Sequence, residues 1–315
     1  MKILTIFLAL LCLSQTGLDA QSKQRFIAIT IDDLPVVSAH NDLKTRQEIT
    51  RKLLKNITEA KVPVIGFVNE IKLYTNDKRD EQEVDLLRQW LNAGLDLGNH
   101  TFSHLSLDDN PLEKYEDEIL RGEIITKELL QTKNEQMHYF RHPYLQTGQT
   151  LKIKSELNQF FAQHNYTIAP VTIEDSDWVF AQAYDNAIGK NDRNLMKKLG
   201  AAYLQYFDAK VDYAERQSTE LFDREISEIM LLHANSINAD YFGDLARALK
   251  KRGYRFVTLA EALRDEAYNL PDTLVGRGGT TWLNRWALAK GKEYVLPNEP
   301  KMPDFVTKVA DDKSK

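Results

Sequence analysis

Residues 26–34 read FIAITIDDL: a nearly unbroken apolar run with β-branched residues, closed by two aspartates, Asp32 and Asp33. A run of that kind, without alternation, is a strand buried on both faces, as strands of a parallel sheet are. Residues 43–60 then place Leu43, Ile49, Leu53, Leu54, Ile57 and Ala60 at helical spacings, and residues 62–68 (VPVIGFV) restore the strand pattern. The same alternation predicts a helix over 80–93, a strand over 95–99, a helix over 111–131, a weak strand over 137–140 and a helix over 150–164. A strand over 166–173, a buried strand over 228–232, a helix capped by Asn238 and ending at Gly253, and a last strand over 255–259 complete the series. Strands alternating with helices imply parallel βαβ units, and about seven of them imply an α/β fold closed into a distorted (β/α) barrel. No glycine fingerprint for a dinucleotide follows the first strand, which disfavours a Rossmann sheet.

Two regions stand outside this alternation. Residues 180–227 are polar with scattered aromatics and are expected to form a helical insert. Residues 268–315 form a C-terminal extension: a Gly-rich turn (Gly276, Gly278, Gly279), Trp282 and Trp286 one helical turn apart, then a Pro- and charge-rich tail expected to be frayed. The tryptophans could stack on sugar rings, but a pair at helical spacing is more often packing.

At the other end, Lys2, an apolar run over 3–13 and a short polar stretch ending in Ala20 have the build of a secretory leader. The run is too short to span a bilayer. Residues 1–20 are therefore expected to be a signal peptide, and the protein to be exported, periplasmic or secreted in a bacterium, with no integral membrane segment in its mature chain. The one cysteine, Cys12, lies in this leader, so neither thiol nor disulfide remains after cleavage. Removal of 1–20 takes away Lys2 and Asp19 and leaves the net charge at −5, a balance that argues against nucleic acid or an anionic membrane as partner.

Five polar groups each follow a predicted strand: Asp32-Asp33; His100 with His104; residues 141–144 (RHPY); residues 174–178 (EDSDW); and His233. The carboxyl ends of a parallel barrel's strands open on one face, so these groups should converge there. Asp33, His100 and His104 supply one hard oxygen and two imidazoles, a set suited to zinc or another divalent first-row ion (Co2+, Mn2+, Fe2+ or Ni2+) with positions left open for water and substrate. A histidine pair four apart is weak by itself, and Asp-Asp after a strand is often a turn or a cap.

The stretches TIDD at 30–33, NHTFSH at 99–104, FRHPY at 140–144, EDSDW at 174–178 and LLH at 231–233 occur in this order. Together they resemble the five motifs of the polysaccharide deacetylase family, the NodB-homology domain of the fourth class of carbohydrate esterases. The resemblance spans residues 26 to about 260 and implies a catalytic domain over 21–267. It implies that Asp32 is the base, that Asp33, His100 and His104 hold the metal, and that Arg141 keeps the base in place. It further implies that the Tyr144 N–H helps form the oxyanion hole, that Asp177 orients a catalytic His233, and that Pro143, Trp178 and Leu231 line the pocket for the acetyl methyl. Many relatives begin the fourth motif with aspartate where this chain has Glu174, which is left out of that set.

The implied activity is hydrolysis of N-acetyl groups on an amino-sugar glycan, such as peptidoglycan or chitooligosaccharide, by metal-activated water with an Asp base and a His acid. Cleavage of O-acetyl esters, as on xylan, would pass through the same kind of intermediate and remains open at this level. A non-catalytic carbohydrate-binding relative should lack a ligand, the base or the acid, and all are present here. A cyclic-amide hydrolase is disfavoured by the intact Asp pair and the Arg-x-Pro-Tyr segment. His40, His138 and His164 read as ordinary histidines, and His142 as a residue that only flanks the cleft.

Overall fold

The computed structural model describes residues 24–292 and 296–312; the leader expected at 1–20 lies outside them. From the N-terminus the chain forms β1 (Arg25–Leu34), α1 (Leu43–Ala60), β2 (Val64–Val68), a small hairpin of β3 (Tyr74–Thr75) and β4 (Lys78–Arg79), α2 (Glu81–Asn92) and β5 (Asp96–Asn99). Next come α3 (Leu112–Arg121), α4 (Ile124–Gln131), β6 (Tyr139–Phe140), α5 (Leu151–Gln163), β7 (Thr167–Ile168) and β8 (Ile173–Glu174). The rest is α6 (Asp177–Gly189), α7 (Arg193–Phe222), β9 (Glu228–His233), α8 (Ser236–Lys251), β10 (Tyr254–Phe256), the short α9 (Leu259–Ala262), α10 (Trp282–Ala289) and α11 (Asp304–Ala310). No helix among the described residues is long and apolar enough to cross a membrane.

The main sheet runs β7-β6-β5-β2-β1-β9-β8, with β10 paired to β1 off this path. Its pairings are all parallel. β1 is its centre: β9 covers one edge, while β10 takes the N-terminal part of the other edge and β2 the C-terminal part. The sheet is the wall of an incomplete, distorted (β/α) barrel. Period-2 alternation along β1 explains how both sides of that wall are filled: Ile27, Ile29 and Ile31 pack outward into the large core under the helices, whereas Ala28 joins Ile65, Phe67, Ala169 and Ile229 inside the barrel. On the interior face Ala28 is followed by Thr30 and Asp32, so the barrel is apolar at its floor and polar at its mouth.

Residues 166–173, expected as one strand, are two. β7 pairs with β6 and β8 with β9, and the four residues between them cross from one end of the sheet to the other. Ala169 N still donates to Phe140 O, and Thr172 N to Ile229 O, while Pro170 has no N–H to offer either side. The helix expected over 111–131 is likewise broken at Gly122 into α3 and α4. The helix before Gly253 is capped by Asn235, whose side chain accepts from Asn238 N at 2.9 Å; Asn238 is therefore inside the helix, where its amide is free to bond elsewhere.

α6 and α7 fill the region of the expected helical insert. Trp282 and Trp286 of α10 are buried, with Trp286 against Phe222 and Tyr268, so their rings pack and are not available to sugars. The tail expected to be frayed is packed where it is described: α11 lies on α6, Val306 is fully buried, and Asn186 Nδ2 donates to Val309 O at 2.8 Å. Apolar Phe305, Val306 and Val309, spaced to share one helical face, give this charged segment something to bury.

Glu228, at the start of β9, points outward into the core beside α7 and is 1% exposed. Burial pushes its carboxyl up to about 8; the hydroxyls of Thr172 and Ser218 oppose this, and the nearby Glu215 and Glu225 add to it. Unfolded, the same group titrates near 4.5. Between these values the folded chain keeps a proton that the unfolded chain has lost, so the contribution of Glu228 is full below about pH 4.5 and is lost as pH rises towards 8. Glu228→Gln, which cannot titrate, should melt close to the wild type at pH 5 and above it at pH 8. Melting curves at pH 5, 6.5 and 8 check this; a gap that does not widen with pH would show that Glu228 is held as a charged partner instead.

Candidate active site

Adjacent residues of a regular strand point to opposite faces, yet both aspartates at the end of β1 face the barrel mouth. The register between β1 and β2 shifts between Ile31 and Leu34, and Asp33 has φ 67°. This bulge turns the second carboxylate to the side of the first. His100 Nε2 lies 3.7 Å from Asp32 Oδ2 and 3.9 Å from Asp33 Oδ1, and His104 Nε2 lies 3.8 Å from Asp33 Oδ1. Lys72 secures the bulge by donating to the Asp33 carbonyl at 2.7 Å, and its ammonium is 3.8 Å from Asp33 Oδ1.

The two histidines come from the loop after β5, whose shape is set by side chains around it. Asn99 Oδ1 accepts from Thr101 N at 2.7 Å, while Asn99 Nδ2 donates to Ile119 O at 2.8 Å. Asn69 Nδ2 donates to His100 O at 2.6 Å, and Glu118 Oε2 accepts from Ser103 N and Oγ at 2.7 and 2.6 Å. Thr101 and His104 both have positive φ, 66° and 58°, and the rings meet edge to face with centroids 4.8 Å apart. His100 Nδ1 lies 2.7 Å from Arg141 O. A carbonyl only accepts, so Nδ1 carries the hydrogen and Nε2 presents its lone pair. Burial holds His100 well below the usual imidazole range and lowers His104 too, so both rings are neutral, the form that binds a metal.

Asp33, His100 and His104 offer ligand atoms within 4.8 Å of one another. Asp33 Oδ1 is buried and has no hydrogen-bond partner. Burial acts to raise the Asp33 carboxyl, but the Lys72 ammonium and the charged His233 ring outweigh it and hold the group ionised. A partnerless anionic oxygen facing two neutral imidazole nitrogens is a donor set that fits a divalent cation.

Arg141, fully buried after β6, spans the barrel interior. Its Nη1 lies 3.4 Å from Asp32 Oδ2, its Nη2 donates to Thr30 Oγ1 at 2.9 Å, and its guanidinium sits 4.9 Å from the Phe67 ring centroid. Thr30 in turn donates to Met230 O at 2.8 Å. Burial pushes the Asp32 carboxyl up to about 6 against the pull of Arg141 and His233, and its Oδ1 has no hydrogen-bond partner. Beyond Arg141, Tyr144 and Leu145 both take left-handed conformations, φ 55° and 53°. Leu145 N and Gln146 N bond back to His142 O and Pro143 O, which leaves the Tyr144 N–H outside the turn's own hydrogen bonds.

Asp32 and His233 are register partners on neighbouring parallel strands. Asp177, at the first position of α6 and fully buried, accepts from His233 N at 2.8 Å and sits 2.6 Å from His233 Nδ1. Its Oδ2 also takes Asn235 Nδ2, at 3.1 Å, and Asn238 Nδ2. Burial acts to lower His233, but Asp177 together with Asp33 and Asp32 outweighs it and raises the ring to about 10. With Nδ1 committed to Asp177, Nε2 is the free nitrogen of a charged imidazole.

Residues 19–167 match the polysaccharide deacetylase family model. That stretch belongs to the polysaccharide deacetylase family. It includes the first three motifs and ends before Asp177 and His233. Among solved structures, the chain is similar to the polysaccharide deacetylase Bc1974 from Bacillus cereus, with TM-score 0.51 and 15% identity over 75% of this chain and 92% of that one. It is also similar to wild-type BA3943, a CE4 family pseudoenzyme from Bacillus anthracis, with TM-score 0.50 and 14% identity over 76% of this chain and 66% of that one. A BA3943 mutant with restored enzymatic activity gives TM-score 0.51 and 15% identity over 76% and 68%. At such identities the likeness establishes the fold alone. No curated protein sequence matches the chain.

The five polar stretches thus meet at one end of one barrel, as their positions after successive strands imply. Of the residues expected to line an acetyl pocket, Leu231 packs with Leu145 and Val171, Pro143 is buried in the turn before Leu145, and Trp178 is 60% exposed. His142 is not at the rim: it is 4% exposed, stacked on Tyr115, and lowered to about 3 by burial. Glu174 is spent locally, accepting from Ser176 N. Sequence reading missed Thr30, Lys72, Asn235, Asn238 and Asp175, a fully buried carboxyl that burial and neighbouring Asp177 push well up. Thr30 was inside a quoted motif; Lys72 carries no signal, because only the turn after β2 brings it to Asp33.

Gly122 is part of this frame. A Cβ there would lie 2.5 Å from Thr101 C and 2.6 Å from Phe102 N, both backbone of the histidine loop. Gly122→Ala should cost about 1–3 kcal/mol of stability and loosen the loop that carries His100 and His104, because that backbone must move. Calorimetry and hydrogen exchange of the amides at 100–104 test this; wild-type exchange with a wild-type melt would show that α3 shifts instead.

Proposed function

We propose that this chain removes N-acetyl groups from an amino-sugar polysaccharide or oligosaccharide, with one divalent transition-metal ion, zinc foremost, on Asp33, His100 and His104. The observation that carries this reading is the pair of buried carboxylate oxygens without partners, Asp32 Oδ1 and Asp33 Oδ1, next to a histidine held by its own carboxylate. When bound, such an ion polarises the acetyl carbonyl and makes water a better acid. Asp32, fixed by Arg141, accepts the proton of the attacking water. The Tyr144 N–H is placed to donate to the oxygen on which negative charge develops. His233, held through Nδ1 by Asp177, gives its Nε2 proton to the departing nitrogen, so that amide and water become acetate and amine. Exposed Tyr144 and Trp178 offer flat apolar surface beside the site, which suits a sugar ring.

The chain keeps the base, the acid and the three metal donors together, which favours turnover over a purely binding role. The two aspartates test this, because they have different tasks one residue apart. Asp33→Ala should lose both metal and activity. Asp32→Asn should retain metal and hydrolyse about 10²- to 10⁴-fold slower, the usual contribution of a positioned base. Acetate release from N-acetylated amino-sugar oligomers and from acetylated xylan, together with metal content, decides the case. A metal-free or fully active Asp32→Asn overturns the assignment, and release from xylan alone makes the site an esterase.

We further propose that the protein is exported, with residues 1–20 as its leader. The apolar run at 3–13 flanked by Lys2 and Ala20 supports this. Mass spectrometry of exported protein should find an N-terminus near Gln21, and an intact Met1 on that material would overturn it.

A further inference from the structure

The turn that carries Tyr144 is strained: two consecutive non-glycine residues sit in the left-handed region, a conformation that persists only where the surroundings over-determine it. The turn supplies two backbone hydrogen bonds of its own, from Leu145 N and Gln146 N, and further support comes from outside it. Residues 272–286 of the C-terminal extension run across the barrel mouth and bind three of its loops. Arg277 Nη1 donates to Asp108 O at 3.1 Å and Gly278 N donates to Asp108 Oδ2 at 2.6 Å, which ties the strap to the loop after the metal-binding histidines. Trp282 N donates to Val171 O at 2.7 Å, on the crossing between β7 and β8. Arg285, 3% exposed, donates from Nη2 to Leu145 O at 2.6 Å and from Nη1 to Thr147 Oγ1 at 2.9 Å. Asp272 balances its charge and also takes Lys154. Gly279 lies directly on the turn: a Cβ there would stand 1.8 Å from Tyr144 O and 2.5 Å from Leu145 C.

We propose that this strap, through Arg285 and Gly279, is a positioning element that holds the Tyr144 peptide in the conformation needed to donate to the substrate oxygen. Arg285 touches neither the metal donors nor Asp32 or His233; it acts by fixing the carbonyl one residue beyond Tyr144. Its planar fork bonds a backbone carbonyl and a hydroxyl from two separate nitrogens at fixed spacing, a geometry that the single nitrogen of a lysine does not have. Gly279 makes the approach possible because any side chain there would meet backbone, which cannot rotate away. The proposal rests on the deacetylase reading for the role of the Tyr144 N–H, but not for the ordering of the turn.

The test therefore has two readouts on full-length protein: hydrogen exchange of the amides at 144–147, and kcat and KM for acetate release per metal-loaded molecule. Arg285→Lys and Gly279→Ala should exchange at least tenfold faster at 144–147, keep metal content, and lose about 10- to 100-fold in kcat, short of the roughly 10²- to 10³-fold that full removal of an oxyanion donor costs, with KM changed less than threefold. Arg277→Ala, at an exposed side chain, should fold normally and show the same pattern more weakly, which keeps the proposal testable if the buried variants do not fold. Unchanged exchange at 144–147 in Arg285→Lys or Gly279→Ala overturns it, as does unchanged kcat in an active enzyme. If the wild type releases no acetate from any glycan, the deacetylase reading fails while the exchange experiment still decides whether the strap orders the turn.

Discussion

Two carboxylates lie side by side at the mouth of the barrel, and most of the structure around them follows from having to keep both there. Ionised groups withdrawn from water are costly unless matched by charge or hydrogen bonds. Asp33 is matched by the Lys72 ammonium, 3.8 Å from its Oδ1, while the two histidines facing it present neutral rings. Asp32 is matched by Arg141, a fully buried cation that threads the interior to reach it. The interior face of β1 is graded to make room: Ala28 at the floor, then Thr30, which accepts from Arg141, then Asp32. The β1 bulge is what makes the pair possible, since without it one carboxylate would point into the outer core.

The histidine at the opposite wall is governed by a separate set of contacts. Asp177 stands at the start of α6, where the helix's unpaired N–H groups favour an anion, and it collects the His233 ring, its backbone N–H and two asparagine amides. Asp32 and His233 therefore belong to neighbouring strands in register, while their partners come from opposite directions, Arg141 from the β6 side and Asp177 from the β8 side. Each is held without reference to the other, so the width of the cleft between them is set by the sheet and not by side-chain rotamers.

Much of this was legible in the chain. The strand at 26–31, the helix at 43–60 and the order of the five polar groups follow from apolar periodicity and from the rule that parallel strands present their carboxyl ends together. Misreadings came where the backbone departs from its ladder. One strand was expected over 166–173 because the apolar pattern continues through Pro170, although the chain there crosses from one end of the sheet to the other. Asn238 was expected to be a cap because Asn caps helices well; Asn235, three residues earlier, has the same chemistry, and what distinguishes them is that Asn235 Oδ1 accepts from the Asn238 N–H, whereas Asn238 Oδ1 accepts from the Tyr203 hydroxyl. The tail was expected to fray on composition, which does not register the face that Phe305, Val306 and Val309 share.

What the sequence determined by itself is the set of chemical groups and the end of the barrel at which they gather, because strand and helix periods are local and the topology of parallel units fixes which strand ends coincide. Tertiary structure alone decided which carboxylate faces which partner, that Lys72 reaches Asp33, and that a segment some 130 residues downstream clasps the Tyr144 turn. Those outcomes depend on a left-handed residue in a bulge, a glycine laid against a backbone, and the path of an extension without a motif. None has a periodic signature, since each is settled by close approach between segments distant in the chain.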